Sequence, residues 1–294
     1  MIEISSLSHA YSGAIKALND ITMEIPSGVF GLVGPNGAGK TTLMRIMATL
    51  LNPTSGSVSV NGFDVGLNRQ EVRKIIGYLP QSFSTFPKLK TREFLEYSAI
   101  LANVNPGKTV DDMLERVGLK NSANVYIEKL SGGMTRRLGI AQALIGSPKI
   151  IIVDEPTAGL DPEERLRFRN LLADLSREDV TVILSTHIIE DISSSCQNMA
   201  VLNRGRVVFY GSPERLIQKA RGHAWKIMVN EAELENVKSQ CSVIVSIPRE
   251  PLWEVQVVAE TLDGWDSALI EPKLEHAYVY FSKHVLKDAM PVAS

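Results

Sequence analysis

Cysteine is nearly absent: Cys196 and Cys241 are the only two in 294 residues. They stand far apart, outside any Cys-x-x-Cys or Cys/His cluster, so buried or idle thiols are expected rather than metal or redox chemistry. An excess of either charge is lacking too, with 31 Lys+Arg against 33 Asp+Glu and a net charge of −2. Without a general basic surface, no nucleic acid is expected as a partner. No apolar run approaches the roughly 20 residues that cross a bilayer, and the start, MIEISSLSHAY, lacks the basic-then-apolar order of a signal peptide. The expectation is a soluble, cytosolic chain. Internal repeats and low-complexity tracts are also missing, so each motif below occurs once per chain.

What is present alternates between strand and helix. At about 150 residues per domain, the length suits one large domain with an appendage. The first thirty residues read as strands, IEISSLSHAY and ALNDITMEI, before a Pro26-Ser27-Gly28 turn and the buried run VFGLVG. Leu43, Ile46, Met47, Leu50 and Leu51 recur at helical spacing until Asn52-Pro53 stops the helix. GSVSVNGFDV and IIGYLPQ read as strands, and residues 91–129 as mostly helical, part of an arm over about residues 82–147. KIIIVDEP, VTVILSTH and MAVLNRGRVVFYG then resume the strands with helices between them. This predicts an α/β fold with a mostly parallel sheet covered on both faces. After SPERLIQKARG the pattern changes to WKIMVN, LWEVQVVAE and a last helix with Leu274, Ala277, Tyr278, Phe281 and Val285 on one face. The predicted division is 1–221 and 222–294, the second a small α+β domain.

Gly34-x-x-x-x-Gly39-Lys40-Thr41 fits a phosphate loop between a strand and a helix. Its glycines let backbone N–H groups crowd a phosphate, Lys40 reaches the β/γ oxygens and Thr41 offers a hydroxyl to Mg²⁺. IIIVDEP delivers Asp154 and Glu155 to the C-terminal edge of a strand, where ligands bind in open α/β sheets. Asp154 suits the Mg²⁺ shell, and Glu155 suits polarising the attacking water. VILSTH carries His187 to a similar strand end, within reach of a γ-phosphate or its nucleophile. His9, His223, His276 and His284 lack such a setting and read as surface or packing residues.

GPNGAGKTT, Gln81 in YLPQ, LSGGM, IIIVDEP, Asp161 in AGLD and His187, in that order and spacing, resemble the ATP-binding cassette (ABC) ATPases over residues 1 to about 215. The resemblance implies a P-loop ATPase core with a mostly parallel sheet, an antiparallel β subdomain and a helical arm, using ATP and Mg²⁺. Pro35, Asn36, Gly37, Ala38 and Thr42 then join Gly34, Gly39, Lys40 and Thr41 around ATP, Gln81 joins Thr41 and Asp154 on Mg²⁺, and Tyr11 sits where the family places an aromatic against adenine. No guanine-reading Asn-Lys-x-Asp occurs, which argues against the GTPase branch of P-loop proteins.

In that family the signature loop, here Ser131, Gly132 and Gly133, closes over ATP held by a second subunit, with Asp161 in the D-loop. A homodimeric or heterodimeric partner cassette and a separate transmembrane permease are implied, with the chain peripheral on the cytoplasmic face of the membrane. The permease is expected near Gln81, where Phe83, Phe86 and Phe94 line a groove or fill the arm core. EPKLEHAYVYF looks like the tail of ABC-2-type exporter ATPases. The alternatives are an importer cassette, or a non-transport cassette acting on ribosome or nucleic acid. Met134 departs from the commoner glutamine, and His276 from the usual acidic residue.

Overall fold

A computed structural model describes residues 1–11, 16–83, 85–262 and 264–285, without the side chains of 284 and 285. His284 and Val285, assigned above to a surface and to a helix face, therefore lie outside the described side chains. The chain forms two compact units, one of Met1–Asp191 with Ser195–Tyr210, the other running from Gly211 with Ile192–Ser194. The division expected near Gly222 thus falls earlier, because the helix at Pro213–Gln218 buries Leu216 within the second unit.

The first unit opens with β1 (Ile2–Ala10) and β2 (Lys16–Ile25), antiparallel partners whose alternate residues are buried. β3 (Val29–Val33) is buried at every position and leads through the glycine loop into α1 (Lys40–Met47). The helix stops before Asn52-Pro53, since Thr49 adopts φ +60°. β4 (Ser55–Val60) and β5 (Phe63–Asp64) flank the Asn61-Gly62 turn and complete an antiparallel sheet ordered β2-β1-β4-β5. α2 (Arg69–Ile75) precedes β6 (Ile76–Leu79). The arm contributes α3 (Thr91–Leu101), α4 (Pro106–Arg116) and α5 (Gly132–Leu144).

β7 (Ile150–Asp154), α6 (Pro162–Arg177), β8 (Thr181–Thr186), α7 (Ile189–Ser195), β9 (Asn198–Asn203) and β10 (Arg206–Gly211) follow. The second sheet runs β10-β9-β3-β8-β7-β6, with β3, β6, β7, β8 and β9 parallel. α1 shares one core with both sheets: Leu43, Ile46 and Met47 pack with Ile2, Ile4 and Val58 on one side and Phe30, Ile152 and Ile183 on the other. Each such side chain contributes about 1.5–3 kcal/mol by leaving water, which explains a helix that is apolar on more than one face.

The sheet order positions the chemistry. β8 lies between β3 and β7, in a register that sets Val33 beside Thr186 and Ser185 beside Asp154. The glycine loop, the Asp154-Glu155 pair and His187 therefore leave neighbouring strands at one edge.

The second unit holds α8 (Pro213–Gln218), β11 (Ala224–Val229), α9 (Glu231–Gln240), β12 (Ser242–Arg249), β13 (Leu252–Val258), β14 (Ser267–Leu269) and α10 (Leu274–Tyr280). Its antiparallel sheet is ordered β12-β13-β11-β14. Ile227, Val229, Val255 and Val257 pack under Leu234 and Val237 of α9, with Trp225, Trp253 and Trp265 partly buried against them. On α10, Leu274, Ala277 and Tyr280 are buried while Tyr278 is half-buried.

Candidate functional site

The loop after β3 wraps a cleft of about 440 Å³ lined by Tyr11, Asn36, Gly37, Ala38, Gly39, Lys40, Thr41, Thr42, Gln81 and Glu155, with Lys16 and Ala17 at its rim. Gly39 has φ +106°, and a Cβ there would lie 2.5 Å from the Ala17 carbonyl, so glycine is required just before α1 begins. Gly34 and Pro35 do not line the cleft. Their carbonyls accept from Lys40 Nζ at 2.7 and 3.3 Å, which anchors the ammonium at the loop.

Glu155 lines the same cleft beside Lys40. It is buried, and its φ of +49° is in the left-handed region that side chains rarely adopt. Its N–H donates to Ser185 Oγ at 2.9 Å, and its carboxylate stands 3.5 Å from Lys40 Nζ and 2.5 Å from His187 Nδ1. His187 thus reaches the carboxylate directly, and its side chain remains half-exposed.

Asp154 is fully buried. Oδ1 accepts from Ser185 Oγ at 2.5 Å, while Oδ2 is buried with no hydrogen-bond partner. A buried carboxylate oxygen left unpaired fits a cation, and the Thr41 hydroxyl and Gln81 amide in the adjoining cleft are the hard oxygen donors that Mg²⁺ takes. Among the described residues no cluster of three or more His, Cys, Asp or Glu could hold a metal.

The Tyr11 hydroxyl lies 3.1 Å from Thr42 Oγ1, leaving a ring 44% exposed at the cleft mouth and edge-on to His9 at 4.8 Å. An exposed ring face there can stack on a base. Ser131, Gly132 and Gly133 do not line this cleft. Ser131 caps α5 by accepting from Met134 N–H at 3.2 Å, and Asp161 caps α6 by accepting from Glu164 N–H at 2.9 Å. The two helix starts touch, since a Cβ on Gly133 would fall 2.7 Å from Glu164 Cγ.

The ABC transporter family description matches residues 18–158. The ABC transporter ATP-binding protein NatA of Bacillus subtilis is 34% identical over 229 residues, 75% of this chain and 93% of that protein. The chain belongs to the ABC transporter family. Within it, this ABC cassette is 38% identical to the methionine import ATP-binding protein MetN 2 of Bacillus cereus over 72% of its own length, but spans only 66% of that protein. It is also 38% identical to the phosphonates import ATP-binding protein PhnC 2 of a Synechococcus strain, over 74% of this chain and 87% of that one. The cassette MJ0796, solved as a dimer in a post-hydrolysis state bound to ADP and Pi, superposes with a TM-score of 0.66 at 28% identity, covering 72% of this chain and 98% of that one. The expected exporter class finds no support here, because the relatives whose names state a direction are importers.

As an ABC cassette the chain binds and hydrolyses ATP with Mg²⁺, and it has the mixed α/β fold that the family resemblance implies. Sequence reading missed two residues at this site. Ser185 joins Asp154 and Glu155 across the strand register, a pairing invisible without the sheet order. His9, expected at the surface or in packing, packs buried against Tyr11. Arg136 donates, among the described residues, to main-chain carbonyls alone, including Gln81 O at 2.8 Å and Glu155 O at 2.7 Å, and burial pulls its guanidinium below the ordinary value against the pull of Asp154 and Glu155. The one available signal was two adjacent cations, Arg136-Arg137, close to a helix N-terminus where the dipole disfavours them.

Proposed function

We propose that the chain is the ATP-driven subunit of an ABC-2-type exporter, in which two cassettes sandwich two ATP molecules and move a separate permease. The observation that carries the ATPase assignment is the Glu155 carboxylate held between Lys40 and His187 at the mouth of the phosphate loop. Glu155 orients the attacking water, Lys40 holds the β/γ oxygens, and His187 fixes the carboxylate and senses the γ-phosphate. Thr41, Gln81 and Asp154 would hold Mg²⁺, which would supply charge neutralisation on the phosphates. Replacing Glu155 by Gln should leave ATP binding intact, trap a closed dimer and nearly abolish hydrolysis; near-normal turnover would exclude this role.

The pairing of two chains is supported by the signature loop lying off the cleft of its own chain, with one phosphate loop and one LSGGM per chain. Charge-assisted hydrogen bonds contribute about 1.5–3 kcal/mol each, and inverting a 1:99 population takes about 5.5 kcal/mol. Two γ-phosphate bonds per ATP therefore suffice to close the pair, and hydrolysis releases it. Lys40→Ala and Ser131→Arg should each be inactive alone, yet a defined heterodimer of the two should regain activity at its one intact site. A wild-type chain paired with the doubly changed chain should be silent. Activity in that control with none in the mixed pair would sink the sandwich.

Tyr97 of α3 and Phe86 offer exposed rings in edge contact, centroids 6.0 Å apart, a surface for the permease, whereas Phe94 is buried in the arm. Among the described residues no helix is long and apolar enough to cross a membrane, so peripheral attachment through a permease is the matching location. Export rests on the tail Glu271-Pro272-Lys273-Leu274-Glu275, and the second reading, import, on the names of the methionine and phosphonate relatives. ATP-dependent accumulation in inside-out vesicles carrying the full transporter supports export, and accumulation only in right-side-out vesicles with internal ATP supports import. The second unit, which carries none of the ATPase motifs, acts as an accessory docking or regulatory domain.

A further inference from the structure

α5 carries two adjacent arginines that run to different places. Arg137 turns to the arm and α6, donating to the Val117 carbonyl at 2.7 Å and pairing with Glu164 at 3.0 Å. Arg136 turns to the nucleotide cleft, where Nη1 donates to Pro80 O at 3.0 Å and Gln81 O at 2.8 Å, Nη2 to Glu155 O at 2.7 Å and Asp154 O at 3.5 Å, and Nε to Pro156 O at 3.3 Å. A guanidinium has five N–H donors and no acceptor, so each donor has one carbonyl. These carbonyls belong to two chain segments, one after β6 and one at the end of β7. Converging carbonyl dipoles repel one another, and a guanidinium between them offsets that repulsion.

We propose that Arg136 is a positioning residue for ATP hydrolysis: it fastens the Gln81 segment to the Asp154–Pro156 segment, so that Gln81 and Glu155 hold one geometry about the same nucleotide. The proposal rests on the assignment of Gln81 and Glu155 to that nucleotide. Among the described residues its hydrogen bonds all go to main chain, which leaves both functional side chains free to act. Because Arg136 stands on the helix that begins at Ser131, the same contacts tie the geometry of a chain's own ATP site to the signature loop it presents elsewhere. Lysine offers three donors from one point and lacks the planar fork, so it spans the two segments poorly.

The test uses the full chain with Arg136→Ala, Arg136→Lys and, as a benchmark, Glu155→Gln. Steady-state kcat, ATP affinity by equilibrium binding, Mg²⁺ half-saturation and Tm are measured on each. Arg136→Ala should lower kcat by at least about tenfold, the scale of a small misplacement of catalytic groups. ATP affinity should stay within about threefold, since a transition-state effect leaves ground-state binding in place. Mg²⁺ half-saturation should rise, because Gln81 is no longer held, and guanidinium ion at millimolar levels should restore part of kcat. Arg136→Lys should fall between, and supplies the same split if the alanine variant does not fold. Unchanged kcat in both variants, or a parallel loss of kcat, affinity and Tm, would overturn the proposal. Near-normal turnover in Glu155→Gln would instead sink the site assignment beneath it.

Discussion

At the residue scale the Glu155 carboxylate links Lys40 to His187, and the histidine is the most exposed of the three. His187→Ala should therefore lose most hydrolysis while ATP affinity stays within about a few-fold, the pattern of a group acting on the reacting atoms. Direct binding and turnover measurements check it, and a large affinity loss would make His187 a binding residue. Cys196 is the opposite kind of group: burial, and then Asp191, push its thiol up to about 12, so almost no thiolate forms near neutrality. Iodoacetamide at pH 8 should modify Cys196 only after unfolding. The phosphate-loop residues were legible because their chemistry resides in residue type at fixed spacing. Ser185 and Arg136 were not, because their partners are a carboxylate 31 positions away and main-chain carbonyls, neither of which has a local sequence signature.

Among the elements, the starts of α5 and α6 are fitted to each other. Gly133 leaves the space that the Glu164 side chain fills, and Arg137 holds that carboxylate from behind. Gly133→Ala must displace Glu164, so it should destabilise the first unit by about 1–3 kcal/mol, the range for overpacking. Denaturant unfolding should show that cost shrinking in a Glu164→Ala background, and an equal cost in both would place the strain elsewhere. Elements buried on both faces were readable as apolar runs, as in β3, β7 and β8. The edge strand β12 was not anticipated: its residues are mostly half-buried, and it carries Pro248 near its end, a residue that edge strands tolerate and central ones do not. α9 was missed for a related reason, burying only Leu234 and Val237 of ten residues. The Asn230–Glu233 capping box that starts it was present in the sequence.

At the scale of the whole molecule, the two units should separate. A chain ending at Gly211 is expected to fold and bind nucleotide, because α8 and all that follows belong to the second unit; failure to fold would show that the units depend on each other. The second unit should also be acid-sensitive through His276, which is buried, accepts from the Lys273 N–H at Nδ1 and so donates from Nε2 to Gln256. Burial holds its pKa below the ordinary imidazole value, Lys273 adding to this and Glu275 opposing it. The unfolded chain then binds the proton more readily, so this contribution is present above the unfolded pKa of about 6.5 and is lost as pH falls through the folded one. Melts at pH 7 and 5 should show a drop that His276→Gln reduces.

The tryptophans give this division an optical consequence. All three, Trp225, Trp253 and Trp265, lie beyond Gly211 and pack on one core, so the ATPase unit contributes no indole emission. Fluorescence excited at the red edge sees the second unit alone, while alkylation of Cys196 counts openings of the first. One unmutated protein thus carries a separate reporter for each half once alkylation is read on the Cys196 peptide apart from Cys241, and the gap between their two midpoints measures how far the halves melt as one.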